Sequence, residues 1–547
     1  MTADVLVSGV EVRVGGTALD PLLAGQLLEV RVETHLMLPD MVTLRVPDPD
    51  IRIVDHGPFK IGAPIEVLFR PPDLQRQTSI FDGQITSIEP DFGEDGAILG
   101  VRGYDGSHQL NRTPRTETYQ SLTFGDIAVK VASRSRLSRG TIDDSGRVHD
   151  FVQQSNETDW RFLWRLATAI GFEVVVDGRR LHFRRPGGSA GTEPVPLAWG
   201  RELLSFRPRA TAVGQVPDVV VRGWSPADKK EIVETARRPA TNTQIGISRA
   251  QLAGAFGGGP VAVCDHPVAS AAHAHTVATG IAEQLANSFV QADGLAHGDP
   301  RLRAGVKIRV SGVGASFGGV YALSETTHVF RSARGYHTEL RVSGRAVRGL
   351  ASLASGSPSP SASPGRSGWE PTVVVGIVTN NRDPAKLGRV RVRYPTLADG
   401  HEGWWARVVV PAAGPDRGLL MMPVVGEEVL VAFEHGAAEF PYVLGSVFNG
   451  VDVPASLVHP DGSFALRSDK QLIAHAADQI TIAGDQAVGL EAGSDMTLKA
   501  TGKLGQSAEE TSIKANTGLT LEGVQSAKMT GLQVAIDGET TTAVKAG

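Results

Sequence analysis

Apolar and polar residues alternate along much of the first 350 residues, which is the two-residue period of β-strands. The alternation is clear at Val10, Val12 and Val14, and it returns around Leu28–Val32 and Ile65–Phe69. Gly-Gly, Pro-Asp and Asp-Gly pairs separate these runs and predict turns between them. We therefore predict an antiparallel barrel or sandwich at the start of the chain.

Two segments replace this alternation with the spacing of amphipathic helices. The first is Asn156–Gly171, where Trp160, Leu163 and Trp164 share one face and Gly171 is placed to end the helix. In the second segment, apolar residues spaced by four predict one helix face, and these are Val277, Ile281, Leu285 and Phe289.

Composition changes abruptly after residue 350. Residues 351–370 are rich in Ser, Pro and Gly and have few apolar side chains to bury, so we predict a linker. Alternation resumes over residues 371–452. Four or five short strands in that length are typical of a small closed barrel such as an OB-fold.

The tail, residues 453–547, is poor in large apolar residues. Within residues 465–547, 19 of 83 residues are Leu, Ile, Val or Met. They recur at eight-residue spacing or in apolar-Thr-apolar triplets, and we predict a shared core of Ile480, Ile482, Leu490, Leu498, Ile513, Leu521 and Met529. Such repeats indicate a solenoid. Because one copy could hardly offset its ordering entropy, we predict an intertwined β-prism, most simply a homotrimer.

Charge and targeting signals narrow the function classes. The net charge is −5, with 54 basic and 59 acidic residues, so no global basic field favours nucleic acid. No apolar run reaches the length of a membrane span. The first residues lack the pattern of a signal peptide, so we expect synthesis in the cytoplasm without one.

Candidate chemistry is sparse. Cys264 is the single cysteine, which excludes a disulfide framework and a cysteine-built zinc site. His266, His273 and His275 lie close to it and are weak metal candidates, but His273 and His275 are two apart and would point to different sides of a helix. No Gly-x-Ser-x-Gly or His-Glu-x-x-His motif is present. We therefore predict no catalytic residue, no cofactor and no metal.

One basic stripe stands out, formed by Arg389, Arg391 and Arg393 on one face of a predicted strand. On an OB barrel such a stripe could bind nucleic acid. Because the stripe stands alone in an acidic chain, we favour an interdomain or intersubunit role.

Three stretches resemble a known family. The first runs from Val375 to Gly450 and resembles the OB domain of VgrG-type spikes and phage baseplate-V proteins. The motifs that carry the resemblance are VGIVTNNRDPAKLGRVRVRYP, WWARV at 404–408, MPVVGEEVLVAFEHG and FPYVLGSVFNG. The second comprises GDPRLRAGV at 298–306, GVYALSETTH at 319–328 and NETDWRFLWRLA at 156–167, and it is similar to the late-control-D-like phage tail hub. The third is the Thr-rich repeat of the tail, which resembles a spike needle.

The resemblance implies a mainly β protein with a fixed domain order. Hub barrel domain 1 would occupy residues 1–150, and the hub helix with barrel domain 2 would occupy 151–350. The linker, the OB-fold and the trimeric β-helix needle at 453–547 would follow.

The resemblance also implies a function. It points to a homotrimeric central spike of a contractile injection system, which joins the inner-tube protein and baseplate proteins to a PAAR-like tip protein at the C-terminal end. The tip would contact a target membrane transiently, without nucleic acid. An extracellular or phage-tail-like system is favoured, in which the particle could be released from the cell. A type VI secretion VgrG and a contractile phage tail spike remain alternatives.

An enzyme is the rival reading. A β-helical tail depolymerase needs paired carboxylates and a sugar platform. The tail contains no Trp, Tyr or Phe after Phe464, which argues against such a platform. An OB-fold nucleic-acid module is a second rival.

Overall fold

A computed structural model describes most of the chain. The described residues are 9–343 apart from 70–76, 95, 187–192, 226–227, 238, 258, 265, 269 and 332–334; 373–454 apart from 396–401 and 416; and 464–533 apart from 521, 527, 529, 532. The predicted linker, residues 351–370, lies outside them. The chain divides into two compact units, Met1–Pro454 and Ala455–Gly547. Within the described residues, no helix is long and apolar enough to cross a membrane.

The first part of the larger unit is rich in β-strands. Its elements are β1 (Val10–Val14), β2 (Thr17–Ala18), α1 (Pro21–Gln26), β3 (Glu29–His35), β4 (Met41–Pro47), α2 (Arg52–His56), β5 (Pro64–Phe69), β6 (Thr78–Gly93) and β7 (Gly96–Asp105). Alternate residues of β3 and β4 are buried, including Val30, Val32, Val42 and Leu44. The predicted alternation therefore corresponds to one core face of these strands.

A mixed layer of helices and short strands follows. It comprises α3 (His108–Asn111), β8 (Arg115–Leu122), α4 (Phe124–Arg134), β9 (Ser138–Ile142), β10 (His149–Glu157), α5 (Asp159–Ala169), β11 (Glu173–Asp177) and β12 (Arg180–Arg184). The helix predicted within 156–171 is confirmed as α5. Gly171 follows it with a φ of 73°, a left-handed conformation that glycine adopts readily at a helix end.

The third part returns to strands. It contains β13 (Val195–Ala198), β14 (Leu203–Ala210), β15 (Asp218–Ser225), β16 (Lys230–Arg237), β17 (Gln244–Ile245), α6 (Arg249–Gly254), β18 (Val261–Val263), α7 (Ala271–Ala286), β19 (Val290–His297), β20 (Lys307–Ser311), α8 (Gly314–Phe317), β21 (Gly319–Ala322), β22 (Glu325–Arg331) and β23 (Gly335–Val342).

The second predicted helix is confirmed as α7, but its end was predicted wrongly. Val277 and Ile281 are buried on α7, whereas Phe289 lies beyond the last helical residue, Ala286. Asn287 caps the helix, because its Nδ2 donates to Glu283 O at 2.8 Å. Phe289 is buried by the chain that leads into β19.

One sheet joins the first and third parts. Its strand order is β14-β19-β23-β22-β3-β4-β7-β6-β5-β1-β2. The junction is the antiparallel pair β22 and β3, which runs from Glu325 opposite His35 to Arg331 opposite Glu29. We call the described residues of 9–343 the hub, because this pairing makes its two β regions one sheet.

The last part of the larger unit is a closed barrel, as predicted. It is formed by β24 (Val373–Asn380), β25 (Arg389–Arg393), β26 (Ala406–Val408), β30 (Pro441–Ser446) and β29 (Glu428–Phe433), in that order around the barrel. β27 (Ala413–Gly414) and β28 (Arg417–Gly418) form a small hairpin, and Glu434–Gly436 form a 3₁₀ turn. The barrel core includes Val390, Val392, Tyr394, Val429 and Val431. The prediction of a mainly β fold is confirmed.

The smaller unit lacks regular secondary structure over most of its described residues. In residues 464–520 the described backbone forms neither helix nor strand, and nearly every side chain is exposed. Bends interrupt this segment at regular intervals. The predicted β-prism therefore requires partners that one chain does not supply.

Two acidic residues meet where the hub strands end. The Asp105 backbone N–H donates to Asp40 O at 3.0 Å, and the buried Asp105 carboxylate accepts from Ser107 Oγ at 2.5 Å. Burial, reinforced by the neighbouring Asp40, raises the pKa of Asp105 well above its ordinary value. Burial also raises the pKa of Asp40.

Replacing Asp105 with Asn should weaken the pH dependence of hub stability. A raised carboxyl pKa contributes stability that is fully present below about pH 4 and is lost as the pH rises through the folded pKa. Thermal unfolding of the wild type should therefore show this loss, and Asp105→Asn should flatten it. Asp91→Asn, on an exposed position of β6, is the control. If the unfolding temperature of Asp105→Asn depends on pH as steeply as that of the wild type, the raised pKa of Asp105 is contradicted.

Candidate functional site

The candidate site is the joint between the hub and the OB barrel, and it is built around α5. Thr158 precedes the helix in an extended conformation, and its side chain accepts a hydrogen bond from the Arg161 N–H. This N-cap fixes where the helix starts. Phe162 is fully buried on α5 and stacks on Tyr119 of β8, with ring centroids 5.4 Å apart.

Asp159 anchors the start of α5 to its neighbours. Its buried carboxylate accepts from Arg134 Nε at 3.1 Å and from Arg134 Nη2 at 2.5 Å. Gln154 Nε2 of β10 donates to the same carboxylate at 2.9 Å. A buried charge with this many donors is compensated, so removing a partner would be costly. The network therefore fixes α5 relative to α4 and β10.

Arg165 extends from α5 toward the barrel. Its Nη2 donates to Glu157 Oε1 at 2.6 Å and to Gln153 O at 2.8 Å. Burial alone would lower the pKa of Arg165, but the carboxylates of Glu157 and Glu439 outweigh it and raise that pKa. Glu439 belongs to the OB barrel, so this guanidinium lies between acidic groups of both parts.

A direct hydrogen bond and an aromatic stack complete the joint. Gln153 N of the hub donates to Glu439 Oε1 of the barrel at 3.4 Å. Phe151 of β10 stacks on Trp404 of the barrel, with centroids 5.6 Å apart and planes inclined by 23°. Within the barrel, the Arg391 guanidinium lies 5.5 Å from the centroid of the same Trp404 ring. Hub and barrel are thus connected by apolar stacking and by charge.

The predicted arginine stripe is engaged within the barrel. Arg389 donates to both oxygens of Asp383 at 2.9 Å, and Arg391 donates to Glu402 at 2.5 Å. The Arg389 hydrogen bonds hold the pKa of Asp383 well below its ordinary range. Arg391 also contacts Trp404 of the same barrel, so the interdomain or intersubunit role that we favoured for the stripe stays a prediction.

The histidine candidates are scattered. His273 meets the His149 ring edge-on at 6.2 Å, His275 faces Glu234 at 3.7 Å, and His266 lies with Cys264 on a cavity of about 270 Å³. Burial, with a smaller effect of Arg147, lowers the pKa of His273 to about 4. No group of three His, Cys, Asp or Glu side chains that could hold a metal occurs in the described part of the chain.

The predicted needle-core residues are exposed in the single chain. Their exposed fractions are 53% for Ile480, 71% for Ile482, 68% for Leu490, 67% for Leu498 and 64% for Ile513. Leu521 and Met529 lie outside the described residues. Their assignment to a shared core stays a prediction.

Sequence patterns did not indicate the residues that form the joint. Phe151, Gln153 and Glu439 carry no motif, and Gln153 is 286 positions away from Glu439. The structure alone shows the unusual feature here, which is that Gln153 and Gln154 are both buried in the strand β10.

Comparison with known proteins defines the class. A family model described as the type VI secretion system/phage-baseplate injector OB domain matches residues 374–448, which are the closed barrel. A second family model, described as the Alg8 N-terminal domain, matches residues 11–331, more than half of the chain. The chain therefore belongs to the family of the Alg8 N-terminal domain and carries an injector OB domain.

A curated relative agrees with this class. The chain is 30% identical over 118 residues to the "Probable baseplate hub protein" of Escherichia phage 186, a match that covers 21% of this chain and 30% of that protein. The chain thus spans about a third of the length of this relative. The resemblance to VgrG-type spikes and baseplate hub proteins is confirmed.

Solved structures were also compared. An E. coli protein described as a component of the type VI secretion system has a TM-score of 0.49 at 17% identity, covering 77% of this chain and 97% of that one. The Francisella PdpA-VgrG complex has a TM-score of 0.47 at 8% identity, covering 81% of this chain and 78% of that one.

Two adjacent tryptophans allow a matched test of the joint. Trp404 reaches Phe151 of the hub, whereas the contacts described for Trp405 are with Arg389 and Arg391 inside the barrel. Trp404→Ala should cost about 2 kcal/mol and let the barrel unfold separately from the hub in calorimetry.

Trp405→Ala is the control for this experiment. It should destabilise the barrel without separating the two unfolding transitions. If both variants unfold with the same number of transitions, Trp404 does not couple the two parts.

Proposed function

We propose that this protein is the trimeric central spike and hub of a contractile injection system. The hub would sit under the inner tube, the OB barrel would follow it, and the tail would form the needle. The observation that carries the proposal is the tail itself. The tail follows an injector OB domain and consists of an eight-residue repeat. The apolar side chains of this repeat are exposed in a single chain.

The tail supports association of copies on energetic grounds. Buried backbone N–H and C=O groups must be hydrogen-bonded, and an extended chain cannot pair with itself along its length. Burying each exposed Leu or Ile side chain against neighbouring copies contributes about 1.5–3 kcal/mol. Three chains wound together would satisfy both requirements and leave no free strand edge.

The OB barrel supports the same conclusion independently. Its surface exposes large apolar side chains, with exposed fractions of 64% for Leu420, 62% for Met421, 62% for Phe448 and 88% for Val451. Leu420 and Met421 are neighbours in the sequence, and exposed large apolar side chains that cluster mark protein interfaces. We infer that copies of the chain also meet through their barrels.

The proposal names further partners. The hub would contact the inner-tube protein and baseplate proteins, and a PAAR-like tip protein would cap the needle before it meets the target membrane. The protein would be made in the bacterial cytoplasm and assembled into a particle that is released in extracellular or phage-tail-like systems. A type VI VgrG and a contractile phage tail spike are alternatives within the same class.

We further propose that the role is mechanical and not enzymatic. Sheath contraction would push the hub, and the joint at α5 would transmit the force to the barrel and needle. A β-helical depolymerase is less well supported, because residues 465–547 contain no aromatic side chain to stack on a sugar. The paired states of Arg389 and Arg391 also argue against a nucleic-acid surface.

The oligomeric state tests the proposal. One chain has a mass of 57.8 kDa. Multi-angle light scattering on the full chain should give three times that mass. A shortened chain ending at Asn449 should associate more weakly, because it lacks the repeat. A monodisperse monomer for the full chain would overturn the proposal.

A pair of neighbouring substitutions tests the needle core. Leu498→Asp should place three charges in the shared axis, at a cost of several kcal/mol each, and dissociate the needle. Lys499→Asp, on the adjacent outward position, should cost little. Trimer melting followed by circular dichroism measures both. Equal melting of the two variants would show that the strand register is displaced by one.

A further inference from the structure

We infer that the contact face between copies of the tail keeps its register through one repeat that is a residue short, Glu509–Ala515. The inference rests on the proposed trimer and specifies how its interface is kept in register. Three features of the tail locate this short repeat.

The first feature is the spacing of the bends. Bends begin at Asp469, Ala477, Asp485, Gly493, Thr501, Glu509, Asn516 and Val524. Each begins eight residues after the one before, except that Asn516 follows Glu509 by seven. The repeat is therefore regular on both sides of a single shortened unit.

The second feature is a small residue directly before every bend. These residues are Ser468, Ala476, Gly484, Ala492, Ala500, Ala508, Ala515 and Gly523. Their spacing is also eight, with one interval of seven from Ala508 to Ala515. Backbone bends and sequence thus place the change at the same unit.

The third feature is the apolar face. Ile482, Leu490 and Leu498 each lie three residues before the next bend, and Ile513 lies three residues before the bend at Asn516. Ile513 therefore occupies the same position in its unit as the earlier three. Its distance of 15 residues from Leu498 follows from the missing residue.

If every repeat had eight residues, a different residue would occupy the apolar face after the bend at Glu509. Gln506 lies three residues before the bend at Glu509 and keeps its place in both counts, but the next position is Lys514 by a count of eight and Ile513 by the short unit. Three lysines on a shared apolar axis would be costly to bury. The short unit places Ile513 on that face and moves Lys514 off it.

The missing residue belongs to the bend. The bend at Glu509 covers one residue, whereas the others cover two. Shortening the bend leaves the alternation of the following extended segment intact, so its side chains keep their faces. A deletion inside the extended segment would have exchanged inward and outward positions.

The partner that fits this face is a second copy of the chain. Identical copies wound side by side place their short bends at the same height, so all strands change register together. A different protein would have to reproduce both the eight-residue repeat and its single seven-residue interval.

Two glycine insertions in the full chain test the inference. Insertion between Glu509 and Glu510 restores an eight-residue unit and should leave the trimer mass and the needle unfolding temperature unchanged or higher. Insertion between Asp485 and Gln486 makes a nine-residue unit and should lower the unfolding temperature. A second pair, Ile513→Asp and Lys514→Asp, should dissociate the trimer in the first variant and not in the second.

The outcomes separate this inference from the proposed function. A monomeric wild-type chain would overturn the trimer itself. A trimeric wild type in which both insertions lower the unfolding temperature equally would overturn the register inference alone. A greater loss in Lys514→Asp than in Ile513→Asp would do the same.

Discussion

The backbone of the tail is the constraint on which the whole molecule depends. Residues 464–520 form neither helix nor strand and no hydrogen-bonded ladder among the described residues of their own chain. An extended segment with exposed Ile and Leu at regular spacing is stable only when other strands supply both hydrogen bonds and apolar contacts. The proposed assembly, the needle and the mechanical role all follow from that requirement.

Unlike the tail, the hub and the barrel satisfy their backbone hydrogen bonds and pack their side chains within one chain. The pairing of β22 with β3 fuses the two β regions of the hub into one sheet. Asp159 holds α5 within the hub, and Arg165, Phe151 and Trp404 connect α5 and β10 to the barrel. A push on the hub would therefore reach the barrel through packed side chains, without a flexible connection at the described joint.

Short-range patterns predicted much of this fold. Alternation identified the OB barrel, and helical spacing identified α5, because each element is determined by its own residues. The end of α7 was predicted wrongly at Phe289, since a cap at Asn287 outweighs the spacing by four. The joint was not predictable, because Glu439 meets Gln153 across 286 positions and no pattern connects them. The needle core stays a prediction, because the contacts proposed for it would lie in other copies of the chain.

Hydrogen exchange of the tail amides in the full-length protein tests the central claim most directly. If neighbouring copies supply the missing ladder, amides of residues 464–520 will be protected to the same degree as those of the barrel strands β29 and β30. Their protection will be lost under conditions that dissociate the assembly. Complete exchange of these amides within seconds in the native protein would contradict the account.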